Sequence, residues 1–203
     1  VNDGTVNSET DTITISTINI APVADAGLNQ AVYVGDVVTL DGSLSSDSDG
    51  DQITYSWAFT TKPDGSLASL SDTTAVNPTF TVDKSGTYVV SLVVNDGTVN
   101  SDTDTVSIST INVSPVADAG MDQTITVIGT TVQLDGTQSY DPDGDAITYQ
   151  WTFTSKPDGS NASLESANTA TPIFTADVHG IYIVQLVVND ASVQSSPDTV
   201  TLS

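Results

Sequence analysis

The sequence predicts an all-β protein built as small β-sandwiches in a linear array, and three observations predict it. Apolar residues recur with a period of two: Ile53, Tyr55, Trp57 and Phe59 alternate with Thr54, Ser56, Ala58 and Thr60, and Ile147, Tyr149, Trp151 and Phe153 repeat the pattern. Large side chains on one face and small ones on the other describe a strand with one face against a core. Val and Thr abound, Gly and Asp punctuate the chain about every ten residues, and no window has helical spacing. Finally, the chain repeats itself. Pro22-Val-Ala-Asp-Ala-Gly27 returns as Pro115-Val-Ala-Asp-Ala-Gly120 at an offset of 93, which becomes 94 from Leu40-Asp41-Gly42 onward and holds through Val94-Asn-Asp96 and Val188-Asn-Asp190.

The repeat sets the domain boundaries. Val1 to Ser8 repeats Val94 to Ser101, and Thr17-Ile-Asn19 repeats Thr110-Ile-Asn112. Residues 1–18 therefore read as the C-terminal strand of a preceding partial repeat, 19–111 as one complete module and 112–203 as a second. The linkers, residues 17–22 and 110–115, are short and contain no Gly, so they read as stiff. Besides the long strands at 53–60 and 88–94, shorter ones are expected at 37–40, 79–82 and 105–111, with counterparts one repeat later. That makes about seven per module, the number of a sandwich. Thr12-Ile-Thr-Ile-Ser16 has strand alternation too, and its backbone groups need a partner in a preceding module or at another subunit's sheet edge.

Two features narrow the sandwich to an immunoglobulin-like one. Asp83-Lys-Ser-Gly86-Thr-Tyr88 and Asp177-Val-His-Gly180-Ile-Tyr182 have the spacing of a tyrosine corner at the entry to strand F. Trp57 and Trp151, flanked on their own faces by Ile, Tyr and Phe, are the expected core tryptophans.

Charge and composition exclude several function classes. The 203 residues hold 26 acids against Lys62, Lys84 and Lys156, with no Arg, for a formal charge of −23. Such a field repels nucleic acid and anionic lipid and attracts divalent cations. Without cysteine there is no disulfide, thiolate nucleophile or cysteine-based zinc site. No apolar run is long enough to insert in a membrane. The single histidine, His179, falls where the other module has Ser85, and the paired carboxylates lie in turns with no apolar pocket to raise a pKa. An enzyme is not expected.

One stretch stands apart from this background. Asp47-Ser48-Asp49-Gly50-Asp51 recurs as Asp141-Pro142-Asp143-Gly144-Asp145. Three carboxylates within five residues are comfortable only when fully solvated or when a hard cation sits among them. The turn is no EF-hand, because Gly holds the fourth place rather than the sixth.

Taken in order, Pro-Val-Ala-Asp-Ala-Gly, Leu-Asp-Gly-Ser/Thr, Asp-x-Asp-Gly-Asp, Ile-Thr-Tyr-x-Trp, Gly-x-Tyr and Val-Val-Asn-Asp resemble the PKD (polycystic kidney disease) domain family, in its bacterial extracellular tandem form. The common Trp-Asp-Phe-Gly-Asp-Gly signature is replaced here by Trp57-Ala-Phe-Thr and Trp151-Thr-Phe-Thr. The resemblance implies one Ca²⁺ per complete repeat, held by Asn19, Asp47, Asp49 and Asp96 in the first module and by Asn112, Asp141, Asp143 and Asp190 in the second, with Asp51 and Asp145 ranked behind them. It also implies a secreted or cell-surface location. The expected role is a non-catalytic spacer or adhesive stalk in a surface or fibrous assembly, contacting neighbouring repeats or subunits. The alternative is an accessory module that holds a secreted enzyme to a protein or polysaccharide surface.

Overall fold

The computed structural model describes residues 1–203 and contains strands and turns but no helix. Module 1 comprises β1 (Gln30–Val32), β2 (Val37–Thr39), β3 (Thr54–Thr61), β4 (Thr79–Thr81), β5 (Thr87–Asn95) and β6 (Asp104–Thr110). Module 2 comprises β7 (Thr131–Gln133), β8 (Thr148–Ser155), β9 (Ile173–Thr175), β10 (Tyr182–Asn189) and β11 (Asp198–Leu202). In module 1 a sheet ordered β1-β6-β5-β3 faces the pair β2-β4; in module 2, β11-β10-β8 faces β7-β9. These are tandem immunoglobulin-like sandwiches, as the period-two pattern predicts.

Each core is a cluster of 13 buried residues, and the two match position for position across most of the repeat. Trp57 and Trp151 are buried, and their indole N–H groups donate to the carbonyls of Ala75 (3.0 Å) and Thr169 (3.1 Å). The Leu-Asp-Gly motif now has a reason. A Cβ on Gly42 would lie 3.0 Å from Trp57 Cζ2, and one on Gly136 2.9 Å from Trp151 Cζ2, so only glycine lets the indole close onto the chain. Phe59 meets Phe80 edge-on at 5.0 Å, and Phe153 meets Phe174 at 5.1 Å.

Both tyrosine corners form. The Tyr88 hydroxyl donates to Asp83 Oδ1 (2.9 Å) and accepts from the Lys84 amide (3.0 Å); Tyr182 does the same with Asp177 (3.1 Å) and Val178 (3.0 Å). Around Tyr88, burial pushes the phenol pKa up, and the hydroxyl keeps its proton for the bond to Asp83.

Two expectations change. Regular strands number six and five per module rather than about seven, because the segments at Val23, Ser46, Val116 and Tyr140 shrink to single bridges, Val23 to Ser46 and Val116 to Tyr140, and Gln123 makes one parallel bridge to Leu202. Residues 12–16 form no strand. Their equivalents in β6 and β11, Val106, Ile108, Val200 and Leu202, are fully buried against the adjacent strand, whereas Ile13 and Ile15 stay 86% and 85% exposed. Alternation makes a strand only where a neighbouring strand accepts its hydrogen bonds.

Strand direction gives each module two unlike poles. β3 runs from the acidic turn toward Lys62, and antiparallel β5 runs back from Lys84 toward Asp96. Acids of the turn and of the β5 end therefore share one pole. Every lysine of the module sits at the other.

Candidate metal centres

Each acidic turn is folded by its own first carboxylate. Asp47 Oδ1 accepts the amides of Asp49 (2.8 Å) and Asp51 (3.2 Å), and Asp141 Oδ1 accepts those of Asp143 (2.8 Å) and Asp145 (3.2 Å). This wrapping turns the side chains inward. Asp47, Asp49 and Asp51 bring one carboxylate oxygen each to within 4.8 Å of one another, and so do Asp141, Asp143 and Asp145.

The linker then closes over the turn. The Ile20 amide donates to Asp49 Oδ2 (2.7 Å), and the Asn19 side-chain amide donates to Asp96 Oδ2 (2.8 Å). In module 2 the Val113 amide donates to Asp143 Oδ2 (2.6 Å) and Asn112 to Asp190 Oδ2 (2.9 Å). Adjacent linker residues thus clamp the turn and the C-terminal end of β5 or β10 at one pole. Asp96 Oδ1 also takes the Thr98 amide, the Thr98 hydroxyl and the Val99 amide. These donors, Asn19 first, hold the Asp96 carboxyl well below the usual range, and Asn112 followed by the Val193 amide lowers the carboxyl pKa of Asp190.

The structure sorts the expected ligands into two kinds. Asp47 with Asp49, and Asp141 with Asp143, come together in one cluster whose third member is Asp51 or Asp145, which the sequence reading ranked lower. Asp96 and Asp190 lie outside that three-oxygen cluster and are tied to it through the linker, by the side chains of Asn19 and Asn112 and the amides of Ile20 and Val113. The signal for Asp51 and Asp145 was present in the sequence, since the fifth place of both turns is Asp.

One atom per turn has no hydrogen-bond partner although it is buried: Asp47 Oδ2 and Asp141 Oδ2. A buried carboxylate oxygen without a donor is costly, and native structures rarely tolerate it. Oxygens sharing one Ca²⁺ at about 2.4 Å lie at most about 5 Å apart, which the clusters satisfy. Within each module the lysines lie at the opposite pole, so none of its own bases offsets the charge of its turn. The residues therefore fit a hard divalent cation better than any other charge partner on the chain. His179 is exposed in the corner loop, far along β10 from this pole.

Comparison with known proteins agrees with the repeat and the fold. A PKD domain family model matches residues 19–110, and a model described as K319L-like, PKD domain, matches residues 119–203. The chain is 30% identical over 193 residues to the mouse Dyslexia-associated protein KIAA0319-like protein, covering 93% of this chain and 18% of that one. It is 32% identical over 178 residues to the Vibrio cholerae pre-pro-metalloprotease PrtV, covering 87% of this chain and 17% of that one. The chain spans under a fifth of the length of these relatives. Among solved structures, the PKD domain from KIAA 1837 protein is 35% identical, covers 42% of this chain and 81% of that one, and superposes with a TM-score of 0.37. Two matching models in succession, on sandwiches with the same motifs in the same order, mean that the chain belongs to the PKD domain family as a tandem of two such domains.

Proposed function

We propose that this tandem is a non-catalytic extracellular spacer in which one Ca²⁺ at each acidic turn fixes the incoming linker to its module. The buried, partnerless oxygen repeated in both turns carries the reading. Asp47, Asp49 and Asp51 supply the charge in module 1, with Asp96 and Asn19 bracing them through the linker; Asp141, Asp143 and Asp145, with Asp190 and Asn112, do so in module 2. A bound Ca²⁺ supplies only charge neutralisation and ordering. The second linker is held from both sides without a gap. Ile111 donates to the Val32 carbonyl of module 1 (2.8 Å), and the next residue, Asn112, is already bonded to Asp190 of module 2. Fixing both ends of a linker resists hinge motion, which suits a stalk.

An extracellular setting is supported by a relative named a pre-pro-metalloprotease. That relative also favours a second reading, an accessory module of a secreted enzyme that contacts protein or polysaccharide. The tyrosines argue against it. Tyr88 and Tyr182 are buried, Tyr55 and Tyr149 half-buried, and exposed Tyr33 and Tyr140 belong to different modules rather than to one row.

Scanning calorimetry with and without a chelator separates the outcomes. With free Ca²⁺ a hundredfold above Kd, the fold gains about 2.7 kcal/mol, or a Tm rise of about 10 °C or more for domains of this size. Coincident melting curves overturn the calcium reading. Retention on an insoluble protein or polysaccharide, lost on mutating Tyr33 and Tyr140, favours the accessory module.

A further inference from the structure

The two complete modules contain seven Asp-Gly pairs, which begin at Asp41, Asp49, Asp64, Asp96, Asp135, Asp143 and Asp158. An aspartate followed by glycine is open to attack by the backbone on its own side chain, because glycine puts no Cβ beside the attacking nitrogen. The attack needs two free groups, the aspartate carboxyl and the glycine amide. Five of the pairs hold both. Gly42 and Gly136 donate to the carbonyls of Val76 (3.0 Å) and Ala170 (2.8 Å), while Asp41 and Asp135 accept the amides of Ser43 and Thr137 at 3.0 Å. In the acidic turns Gly50 and Gly144 donate to the carbonyls of Asp47 (3.4 Å) and Asp141 (3.1 Å), and Asp49 and Asp143 accept from the linker. Gly97 donates to Asn95 Oδ1 (2.7 Å), and Asp96 accepts from Asn19, Thr98 and Val99. Groups held in this way react only after local opening.

Asp64-Gly65 and Asp158-Gly159 differ on both counts. They are one turn, Lys-Pro-Asp-Gly-Ser, in its two copies, closed by the Ser66 amide on the Pro63 carbonyl and the Ser160 amide on the Pro157 carbonyl, both at 3.0 Å. Those bonds leave out the two central residues. Asp64, Gly65, Asp158 and Gly159 are exposed, and neither carboxylate and neither glycine amide has a hydrogen-bond partner in the chain. The turns also stand clear of their surroundings: a Cβ on Gly159 would meet nothing within 4 Å, and one on Gly65 only Lys84 Cε at 4.0 Å.

We propose that Asp64 and Asp158 are modification sites at which the folded modules convert aspartate to isoaspartate, and that conversion loosens the tyrosine corner beside each turn. The Gly65 nitrogen bonds to Asp64 Cγ, and its proton leaves with the carboxyl hydroxyl as one water, which closes a five-membered succinimide. Water then adds to one of the two ring carbonyls. Addition at Cγ breaks the new bond and restores aspartate; addition at the main-chain carbonyl breaks the original peptide bond and leaves the chain running through Cγ. One water leaves and one returns, so no oxidant or co-reactant enters. The same steps hold for Asp158 and Gly159. The corner feels the change because Ser66 and Leu67, directly after the turn, donate to the two oxygens of Asp83 at 2.6 Å, and Asp83 accepts from Tyr88. Ser160 and Asn161 hold Asp177 for Tyr182 likewise. The rerouted chain has one extra main-chain atom ahead of those donors. In module 1 the turn also lies next to the joint: Pro63 stands against Gly86, and the adjacent Ser85 donates its hydroxyl to Asp145 Oδ1 of module 2 at 2.5 Å.

The test ages the full chain at neutral pH and body temperature and maps isoaspartate by electron-transfer fragmentation, beside a urea-unfolded sample in which all seven pairs are free. The folded chain should form isoaspartate at 64 and 158 about tenfold or more faster than at the other five, the factor set by the bonds that must first break there. The unfolded sample should level the seven. D64E combined with D158E lengthens both side chains past the five-membered ring, so it should remove the folded-state signal and keep the unfolded-state signal of the other five. Molecules converted at either turn should melt below unconverted ones. Equal rates at all seven pairs in the folded chain, or no conversion at 64 and 158 while the unfolded sample converts, overturn the assignment. Coincident melting of converted and unconverted molecules overturns the link to the corner.

Discussion

The same acidic turn occurs twice, in different surroundings. The turn of module 2 lies at the joint: Asp143 is 8% exposed, Asp190 6%, and the bracing amide comes from half-buried Val113. The turn of module 1 has the same internal bonds, yet Asp49, Asn19 and Ile20 are exposed, and the preceding residues 12–18 are exposed and make no hydrogen bond. Local sequence therefore builds the turn, and the neighbouring module decides how far it is desolvated. Charges at equal separation interact more strongly where water is excluded.

The largest effect expected from that difference is in metal affinity. Two classes of Ca²⁺ site should appear, with the module 2 site tighter. D141N should remove the calcium-dependent rise of one unfolding transition, about 2.7 kcal/mol at a hundredfold excess over Kd. D47N should act on the weaker class and leave the tighter one in place. Isothermal and differential scanning calorimetry on the two variants read this directly, and a stronger loss from D47N reverses the comparison.

Acid should narrow the difference between modules next. Asp83 is held at about 2, first by the Ser66 hydroxyl and then by the Leu67 amide, and Asp96, Asp177 and Asp190 are also lowered by their donors. Carboxyls with depressed pKa values stabilise the fold above the unfolded value of about 3.9, and that stability disappears as pH falls through the folded values. In chelator, Tm should be flat from pH 7 to about 5 and fall steeply below about 4. A Tm that rises on acidification contradicts these hydrogen bonds.

Smaller effects sharpen the contrast at two turns. Gly97, at φ 95°, is matched in module 2 by Ala191 at φ 79°, a left-handed conformation that costs a Cβ-bearing residue about 1 kcal/mol or more. A191G should raise the stability of module 2 by about 0.5 kcal/mol, measured by urea denaturation. Removing the joint bond with S85A should leave both unfolding transitions within about 0.5 kcal/mol. It should nevertheless broaden the inter-module distance distribution in paired spin-label measurements, and an unchanged distribution means that the linker alone holds the joint.

The repeat made much of this legible before any coordinates. Period two at residues 53–60, the Gly-x-Tyr corner and the core tryptophan Trp57 are short-range patterns, and each appeared where the sequence placed it. The acidic turn was legible as a candidate, but the rank of Asp51 and Asp145 was not, because their inward turn follows from amide bonds to the first aspartate. The Ser85 to Asp145 contact spans 60 residues and depends on how two modules meet, which no local pattern encodes. Residues 12–16 misled for the complementary reason, since their alternation equals that of β6 without the neighbour that makes β6 a strand.

The most direct test of the cation reading is stoichiometry. Calcium titrated calorimetrically into the chelator-treated 203-residue chain should give two binding events, with one remaining in D47N and a different one remaining in D141N. No binding heat at millimolar calcium, or a stoichiometry that neither substitution changes, contradicts the account.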